Sequence, residues 1–442
     1  MPNDSDCLGP MILSLLPDFV TFICKRLMNS GHQAYVVGGA LRDACLGLPI
    51  TDWDVATSAT SMAIQGIFHD KRHFSLKEDT ITLIDSGRQF HVTPFRTERG
   101  GLTGDLGHRD FTINAMAFDL DRDEISDPYG GRRDLSKRLI RAVRDPAKRF
   151  QEDPLRLLRA VRISAQLRFR VEAATLKTIT RMAFLLESVA PERIREELIK
   201  ILMSPIPSVG FNLMVRTGLL RHFLPELLEG YRRRQNSYHR HTIFKHIMMT
   251  VDAVKSDPVL RLTALLHDIA KPRVRKKAEG QWRFHGHEKA SGELAKEVMG
   301  RLRFDKKTTG EVVNLVRHHV IGYNSHWTDA AVRRLIRRVG TAQIEDLLIF
   351  RRSDLLAHGQ ADCHSGLLSE LEARVNAQIQ KSFPIKKEDL AIDGVTVMEV
   401  LGLSPGPEVG RILNELNEKV LEHPELNNPE ELEALLLRLK TH

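Results

Sequence analysis

The sequence is poor in the residues that staple a chain or anchor it. Its four cysteines, Cys7, Cys24, Cys45 and Cys363, are scattered, with no CxxC pair and no compact spacing. That excludes a zinc ribbon and a disulfide framework and points to a cytoplasmic setting. Long apolar runs are missing as well. The opening residues MPNDSDCLGP carry no basic n-region, and the short apolar run after them is broken by Pro17 and Asp18, so neither a signal peptide nor a membrane span is expected. Aromatic residues are only 6%, yet 42% hydrophobic beside 28% charged residues is ordinary for a globular protein, so disorder is not expected. There is no repeat of solenoid period and no low-complexity tract.

What is present starts with length and charge. A chain of 442 residues is long for one core, so several domains are expected. The formal charge of +8 favours a polyanionic partner through phosphate neutralisation, without separating RNA from DNA or an anionic membrane surface. Up to about Asp134 short β-type runs (AYVVGG, DWDVAT, ITLID, QFHVTPF, NAMAFDL) alternate with Gly and polar breaks. From about Asp153 apolar residues recur at three and four spacing and strand signals nearly vanish. SPIPS (204–208), YRRRQNSYHRHT (231–242) and SDP (256–258) read as connections, and SFPIKKEDLAIDG (382–394) as a break before a small helical subdomain. The expected domains are therefore an α/β head at 1–140, a helical neck at 141–205, a helical body at 206–380 and a helical tail at 381–442.

The segment VVGGALRDACLGLPITDWDVATSA carries the most chemistry. Val36 and Val37 end a strand, Gly38 and Gly39 allow a tight turn with close backbone approach to a ligand, and Arg42 and Asp43 follow at a helix start, a layout suited to a triphosphate. Asp52 and Asp54 flank Trp53 on a predicted strand, whose period of two puts both carboxylates on one face, where they can hold Mg²⁺ for phosphoryl transfer. An isolated DxD is as readily a solvated strand edge. In context, GGALRD followed by DWDVATSAT resembles the head of the polymerase-β-like nucleotidyltransferases, in their bacterial class II tRNA nucleotidyltransferase and poly(A) polymerase branch.

That resemblance implies an α+β fold, with a mixed sheet in the head and all-helical neck, body and tail. It implies Asp52 and Asp54 as catalytic Mg²⁺ ligands, and Gly38, Gly39, Arg42 and Asp43 as nucleotide contacts. HRDFTINAMAFD resembles the family's segment for the nucleotide sugar and carries over Arg109, Asp110 and Asn114 as ribose and phosphate contacts, although Phe111, Ile113, Ala115 and Ala117 alternate as packing residues would. DPYGGRRDL, with Gly130 and Gly131, resembles a joint between head and neck, or is a plain turn. In EDPLRLLRAVR, Asp153 before Pro154 is a good N-cap, and Arg156 on the same face can form an intrahelical ion pair with it. In the family the residues matching Asp153 and Arg156 read the incoming base by hydrogen bonding, accepting C and A; Arg159 lies further along the same helix. RIREELIKIL (193–202) resembles the supporting helix whose arginines brace that template, or is simply amphipathic.

A second set, His246, His267 and Asp268 in LLHDIAKP, His287 in FHGHE and Asp354 in RRSDLLAHG, resembles the HD phosphohydrolase superfamily. It implies a divalent transition-metal site able to activate water. His285, His318 and His319 are further ligands or solvated positions.

Two features depart from the family pattern. His91 in QFHVTPFR stands where relatives place an acidic residue, which leaves the two aspartates without a third carboxylate. The link TERGGLTGDLGH between Arg96 and Arg109 is much shorter than the loop of enzymes that add all three nucleotides, so the chain resembles a CC-adding enzyme. Full CCA addition, A addition and poly(A) synthesis stay open beside it. The partners implied are tRNA, recognised through the shape of its acceptor and T arms, and CTP or ATP. Two readings of other classes are an HD phosphohydrolase acting on RNA ends or nucleotides, and a catalytically silent RNA binder, against which the retained aspartate pair argues because it repels phosphate. The clusters Arg232 to Arg234, Lys271 to Lys277 and Arg333 to Arg338 are candidate RNA contacts or solvated helix faces.

Overall fold

The structure, a computed structural model, describes residues 8–75, 79–96, 101–235, 241–358, 361–381 and 387–440. It forms two compact units, Met1–Ile201 with Val209–Phe223, and Leu202–Ser208 with Leu224–His442. The fold is α+β: a mixed sheet in the first unit, then helices.

Seven short strands, β1 (Ala34–Val37), β2 (Trp53–Thr57), β3 (His73–Ser75), β4 (Ile81–Asp85), β5 (Arg88–Pro94), β6 (Ala117–Asp119) and β7 (Glu124–Ser126), lie in the order β3-β4-β5-β2-β1-β6-β7. β2 and β5 run parallel and the other neighbours antiparallel. β1 and β2 occupy the centre, and their residues Val36, Val37, Val55 and Ala56 are buried, as strands covered on both faces require. Register then does the positioning. Val37 pairs with Asp54, and Asp54 with His91, so the Gly38 turn, Asp54 and His91 stand in one row across three strands.

The predicted strands at AYVV, ITLID and QFHVTP form as expected, with two corrections nearby. β2 begins at Trp53, so Asp52 lies just before the strand and is exposed. On the β1 side the ladder ends at Asp54, whose partner Val37 is followed by the turn into the helix Gly39–Leu46, and Trp53 is paired only with Phe90 of β5. The predicted alternation in FTINAMAF is also absent. Residues 111–118 are all buried, with Thr112–Asn114 wound into a 3₁₀ turn before β6.

In the second unit the helices Ile243–Ala253, Pro258–Leu266, Lys306–His318 and Ile344–His358 pack on one another. Asp257 accepts from Leu260 N at 3.0 Å ahead of Pro258 at the first helical position, the helix start read from SDP. A hairpin, Lys276–Ala278 paired with Gln281–Arg283, interrupts the helices; positive φ at both Glu279 and Gly280 gives its two-residue turn the twist that hairpins favour. The tail packs Val397, Leu416, Val420, Leu432 and Leu436 into its own core. Arg333 is buried and donates to Leu421 O at 2.6 Å and Glu422 O at 3.0 Å, capping the C-terminus of helix Pro407–Glu422, while Arg334 and Arg337 pair with Glu418. These three arginines are packing residues, not a free basic face.

Candidate active site

Gly38 has φ 85° and ψ −144°, a conformation only glycine adopts readily. A Cβ here would lie 3.1 Å from both Arg109 Nη1 and Asp54 Oδ2. The bare backbone therefore lets a carboxylate from β2 and a guanidinium from the segment before Phe111 converge on one point. Burial holds the Asp54 carboxyl above its usual range; Arg109 and His91 pull it down, and Asp52 pushes it up again. A pocket of about 250 Å³ opens beside it, lined by Asp54, Thr80, His91, Thr93, Arg96 and Arg109. The oxygen donors Asp52 and Asp54 suit a hard cation such as Mg²⁺, because two mutually repelling carboxylates at a half-buried edge gain from one. His91 fills the third place with an imidazole that is hydrogen-bonded to Thr82 Oγ1 at 3.1 Å.

Five of the residues carried over as nucleotide contacts, Arg42, Asp43, Asn114, Asp110 and Arg159, form one connected chain. Arg42 is bidentate to Asp43, at 2.8 Å through both Nε and Nη2, and donates Nη1 to Asn114 Oδ1 at 2.9 Å. Asn114 donates to Asp110 Oδ1 at 3.0 Å, and Asp110 pairs with Arg159 at 2.8 Å. Arg109 pairs with Asp105 at 3.3 Å, four residues earlier.

The expected ion pair between Asp153 and Arg156 is not formed. Asp153 instead receives Arg193 from helix Pro191–Leu202, Nη1 to Oδ1 at 3.1 Å and Nη2 to Oδ2 at 3.2 Å, a fork geometry that fixes the carboxylate plane. Its Oδ1 also accepts from Leu155 N at 3.2 Å, a turn that precedes helix Arg156–Leu167. Arg156 is buried and turned the other way, pairing with Glu152 at 3.1 Å and donating Nη2 to His108 O at 2.7 Å. The reason is local: Asp153 ends the preceding helix Pro146–Glu152 in extended conformation, so Glu152, not Asp153, lies one turn before Arg156.

In the second unit five predicted residues and a sixth converge. His246, His267 and Asp354 form one group of potential ligands, and Asp268, His287 and His319 another, the atoms of each lying within 4.8 Å of one another. His267, His287 and His319 each direct Nδ1 at a main-chain carbonyl, Ala264 O, Phe284 O and Val316 O, at 2.7 to 2.9 Å. That leaves the Nε2 atoms facing inward; burial opposes charge on His267, but Asp268 and Asp354 outweigh it and raise its pKa above the usual value. His246 Nε2 and His267 Nε2 then stand 3.2 Å apart. Burial lowers His246 and His287 to about 4, which keeps both neutral. Burial opposes charge on Asp268 and Asp354 too, but the imidazoles with Lys271 and Arg351 hold both carboxyls well below the usual range. Asp268 Oδ1, Asp268 Oδ2 and Asp354 Oδ1 are buried without a hydrogen bond; Lys271 Nζ reaches 2.6 Å from Asp268 Oδ2 outside hydrogen-bond alignment. Buried carboxylate oxygens without a hydrogen bond, facing imidazole nitrogens, fit the donor set of a divalent transition ion.

Family models match in three places: a poly A polymerase head domain over residues 34–141, a probable RNA and SrmB-binding site of polymerase A over 168–230, and an HD domain over 242–358. A CCA-adding enzyme of Limosilactobacillus reuteri is 30% identical over 427 residues, spanning 92% of this chain and 93% of the relative. The chain belongs to the family of CCA-adding tRNA nucleotidyltransferases. An A-adding tRNA nucleotidyltransferase of Deinococcus radiodurans is 32% identical over 92% of the chain and 95% of its own length. The crystal structure of the Bacillus stearothermophilus CCA-adding enzyme in complex with CTP superposes with a TM-score of 0.72 at 26% identity, covering 95% of this chain and 96% of that one.

In this tRNA nucleotidyltransferase three residues of the Asp54 pocket have no sequence signal, whereas His319 is among the candidate ligands the sequence offers. Thr80, Thr93 and Arg96 line the pocket at Asp54 but carry no motif. His319 completes the body centre at 2% exposure, whereas His285 is exposed and His318 half-buried outside both ligand groups. Lys271, grouped by sequence with the basic run after it, is buried against Asp268 and Gln235. Of the link from Arg96 to Arg109, residues 97–100 lie outside the described residues. Among the described residues no helix is long and apolar enough to cross a membrane.

Proposed function

We propose that this chain adds nucleotides from CTP, two cytidines, to the 3′ end of tRNA in the cytoplasm. The reading is carried by the row Gly38, Asp54 and Arg109, where a half-buried carboxylate beside Asp52 meets a glycine turn and a guanidinium. In the reaction the tRNA 3′-hydroxyl oxygen attacks the α-phosphorus of CTP, and the bond to the β-phosphate oxygen breaks to release pyrophosphate. Asp52 and Asp54 would hold two Mg²⁺ ions, which when bound would supply Lewis-acid chemistry to the attacking hydroxyl and the leaving pyrophosphate. Gly38, Gly39 and Arg42 serve the triphosphate, Arg109, Asp110 and Asn114 the ribose and phosphates, and Asp153 and Arg156 the base, with Arg159 holding Asp110.

The stop after two cytidines is supported by how the link ahead of Arg109 is tied down. In helix Gly101–Gly107, Asp105 pairs with Arg109, Thr103 O accepts from Tyr129 at 2.9 Å and Gly107 O accepts from Arg149 at 2.9 Å. A Cβ on Gly107 would come within 2.6 Å of Tyr129 Oη. A helix held at Thr103, Asp105 and Gly107 is poorly suited to act as a lever that reshapes a base pocket. The test is incorporation with purified protein and Mg²⁺ on tRNA lacking its CCA and on tRNA ending in CC, with CTP and ATP supplied singly. Two cytidines added with no use of ATP is the expected result; adenosine added to the CC-ended tRNA overturns the CC assignment.

A second activity, phosphoester hydrolysis on RNA ends or nucleotides with a divalent transition metal, is favoured by the orphaned Asp268 and Asp354 oxygens of the body centre.

A further inference from the structure

The hairpin Lys276–Ala278/Gln281–Arg283 joins Lys271 at the body centre to its ligand His287, and neither chemistry above uses it. Its exposed faces carry Lys276, Lys277 and Arg283. Arg275 lies 3.4 Å over the centroid of Trp282, both half-buried, so a guanidinium covers one face of the indole in a cation–π contact. Alongside runs the turn after Gly230. Gln235 reaches Lys271 and Glu229 pairs with Arg273, while burial, and after it the charge of Arg233, lowers the Arg275 pKa. In that turn Arg232 sits 5.4 Å over the ring of Tyr231, which is 39% exposed. Carboxylates offset little of this charge: Glu279 pairs with Arg283, and Glu229 is taken by Arg273.

We propose that the hairpin and the Tyr231–Arg233 turn form a platform for a single strand of RNA. Two half-exposed aromatic rings, each overlaid by a guanidinium and flanked by lysines, offer stacking for bases and charge for the phosphates between them. The hairpin tip is Glu279–Gly280, polar and without an apolar wedge, which disfavours insertion into a membrane. The surface lies outside residues 168–230, where the RNA-binding family model matches. Beyond Arg283 it leads to a pocket of about 420 Å³ lined in part by His285, Arg317, His318 and Arg338, which continues the basic track. The proposal rests on the reading of this chain as acting on RNA.

The test measures affinity for a fluorescent oligocytidylate and for tRNA lacking its CCA over a range of salt, with K276A/K277A/R283A and Trp282→Ala beside the wild type. Circular dichroism and thermal melting establish that both variants fold. The triple variant is expected to flatten the log affinity against log salt slope for the oligonucleotide by about 2, or about 0.7 per cation removed. Trp282→Ala is expected to weaken binding about tenfold with the slope unchanged. Wild-type slopes and affinities in both folded variants overturn the platform. So does loss confined to anionic phosphatidylglycerol vesicles, which would make the surface a membrane contact. Incorporation is scored separately: an enzyme that extends no tRNA while keeping hairpin-dependent RNA binding refutes the nucleotidyl transfer and supports the platform.

Discussion

The head and the body each gather carboxylates for a cation, and they do so in opposite ways. At Asp52 and Asp54 two ligands stand at a strand end, one exposed, beside a glycine turn and an open pocket. At Asp268 and Asp354 six side chains from several helices close on one another, and five of the six are no more than 2% exposed. An open pair leaves coordination positions that an incoming triphosphate could fill under the proposed function. A closed cage with oriented imidazoles is prepared for a resident ion. The contrast predicts that the two centres are separable, the head site completed by its substrate and the body site already closed by folding.

The largest effect expected is a double dissociation. Asp54→Asn removes a metal ligand without altering shape and is expected to lower CTP incorporation by on the order of 10³-fold. His267→Ala is expected to leave incorporation within about twofold while abolishing any metal-dependent phosphatase activity. Steady-state incorporation and phosphate-release assays on both variants check this; loss of incorporation in folded His267→Ala would merge the two centres into one. Next comes the cage as a stability element. Adding Mn²⁺ or Ni²⁺ to metal-stripped protein at about 100 times its Kd is expected to stabilise the second unit by about 2.7 kcal/mol. Calorimetry should find this gain retained in Asp52→Ala and absent in His267→Ala; a gain that survives His267→Ala breaks the contrast.

A smaller effect sharpens the open site. Arg193 holds Asp153 by a fork of two hydrogen bonds, so Arg193→Ala is expected to raise KM for CTP on the order of tenfold, with kcat changed less and partial rescue by Arg193→Lys. An unchanged KM would mean that Asp153 needs no brace.

Which of these parts can be read from sequence follows from range of interaction. Central strands AYVV and QFHVTP, and the capped start at Asp257–Pro258, are fixed by local propensity and short hydrogen bonds, and they appear where the pattern puts them. Asp52 lies beyond the last paired residue of its strand, since β1 pairs only as far as Asp54 and β5 only as far as Trp53, a fact of sheet register and not of its own neighbours in the chain. Asp153 takes Arg193, 40 residues away, instead of Arg156, three away, because the helix breaks at Asp153 and turns its carboxylate outward. His319 joins the cage only once Lys306–His318 packs on Pro258–Leu266. Types and motifs are local; partners are not.

The smallest prediction concerns the buried link between the two halves of the nucleotide network. Burial alone would raise the Asp110 carboxyl, but Arg159, Asn114 and the Phe111 N–H outweigh it and hold the group at about 2. A carboxyl depressed in the folded state stabilises fully above its unfolded pKa, near 3.8, and loses that contribution as pH falls through about 2. The first unit is therefore expected to lose about 2 kcal/mol from this one group between pH 4 and 2. Asp110→Asn keeps the acceptor for Phe111 N but has no charge to titrate, so its unfolding free energy should fall less steeply over the same window. Urea melts at intervals through that range measure both slopes. Parallel slopes would show that the Arg159 contact, with its guanidinium 37% exposed, is too well solvated to stabilise the fold, and that Asp110 serves the nucleotide alone.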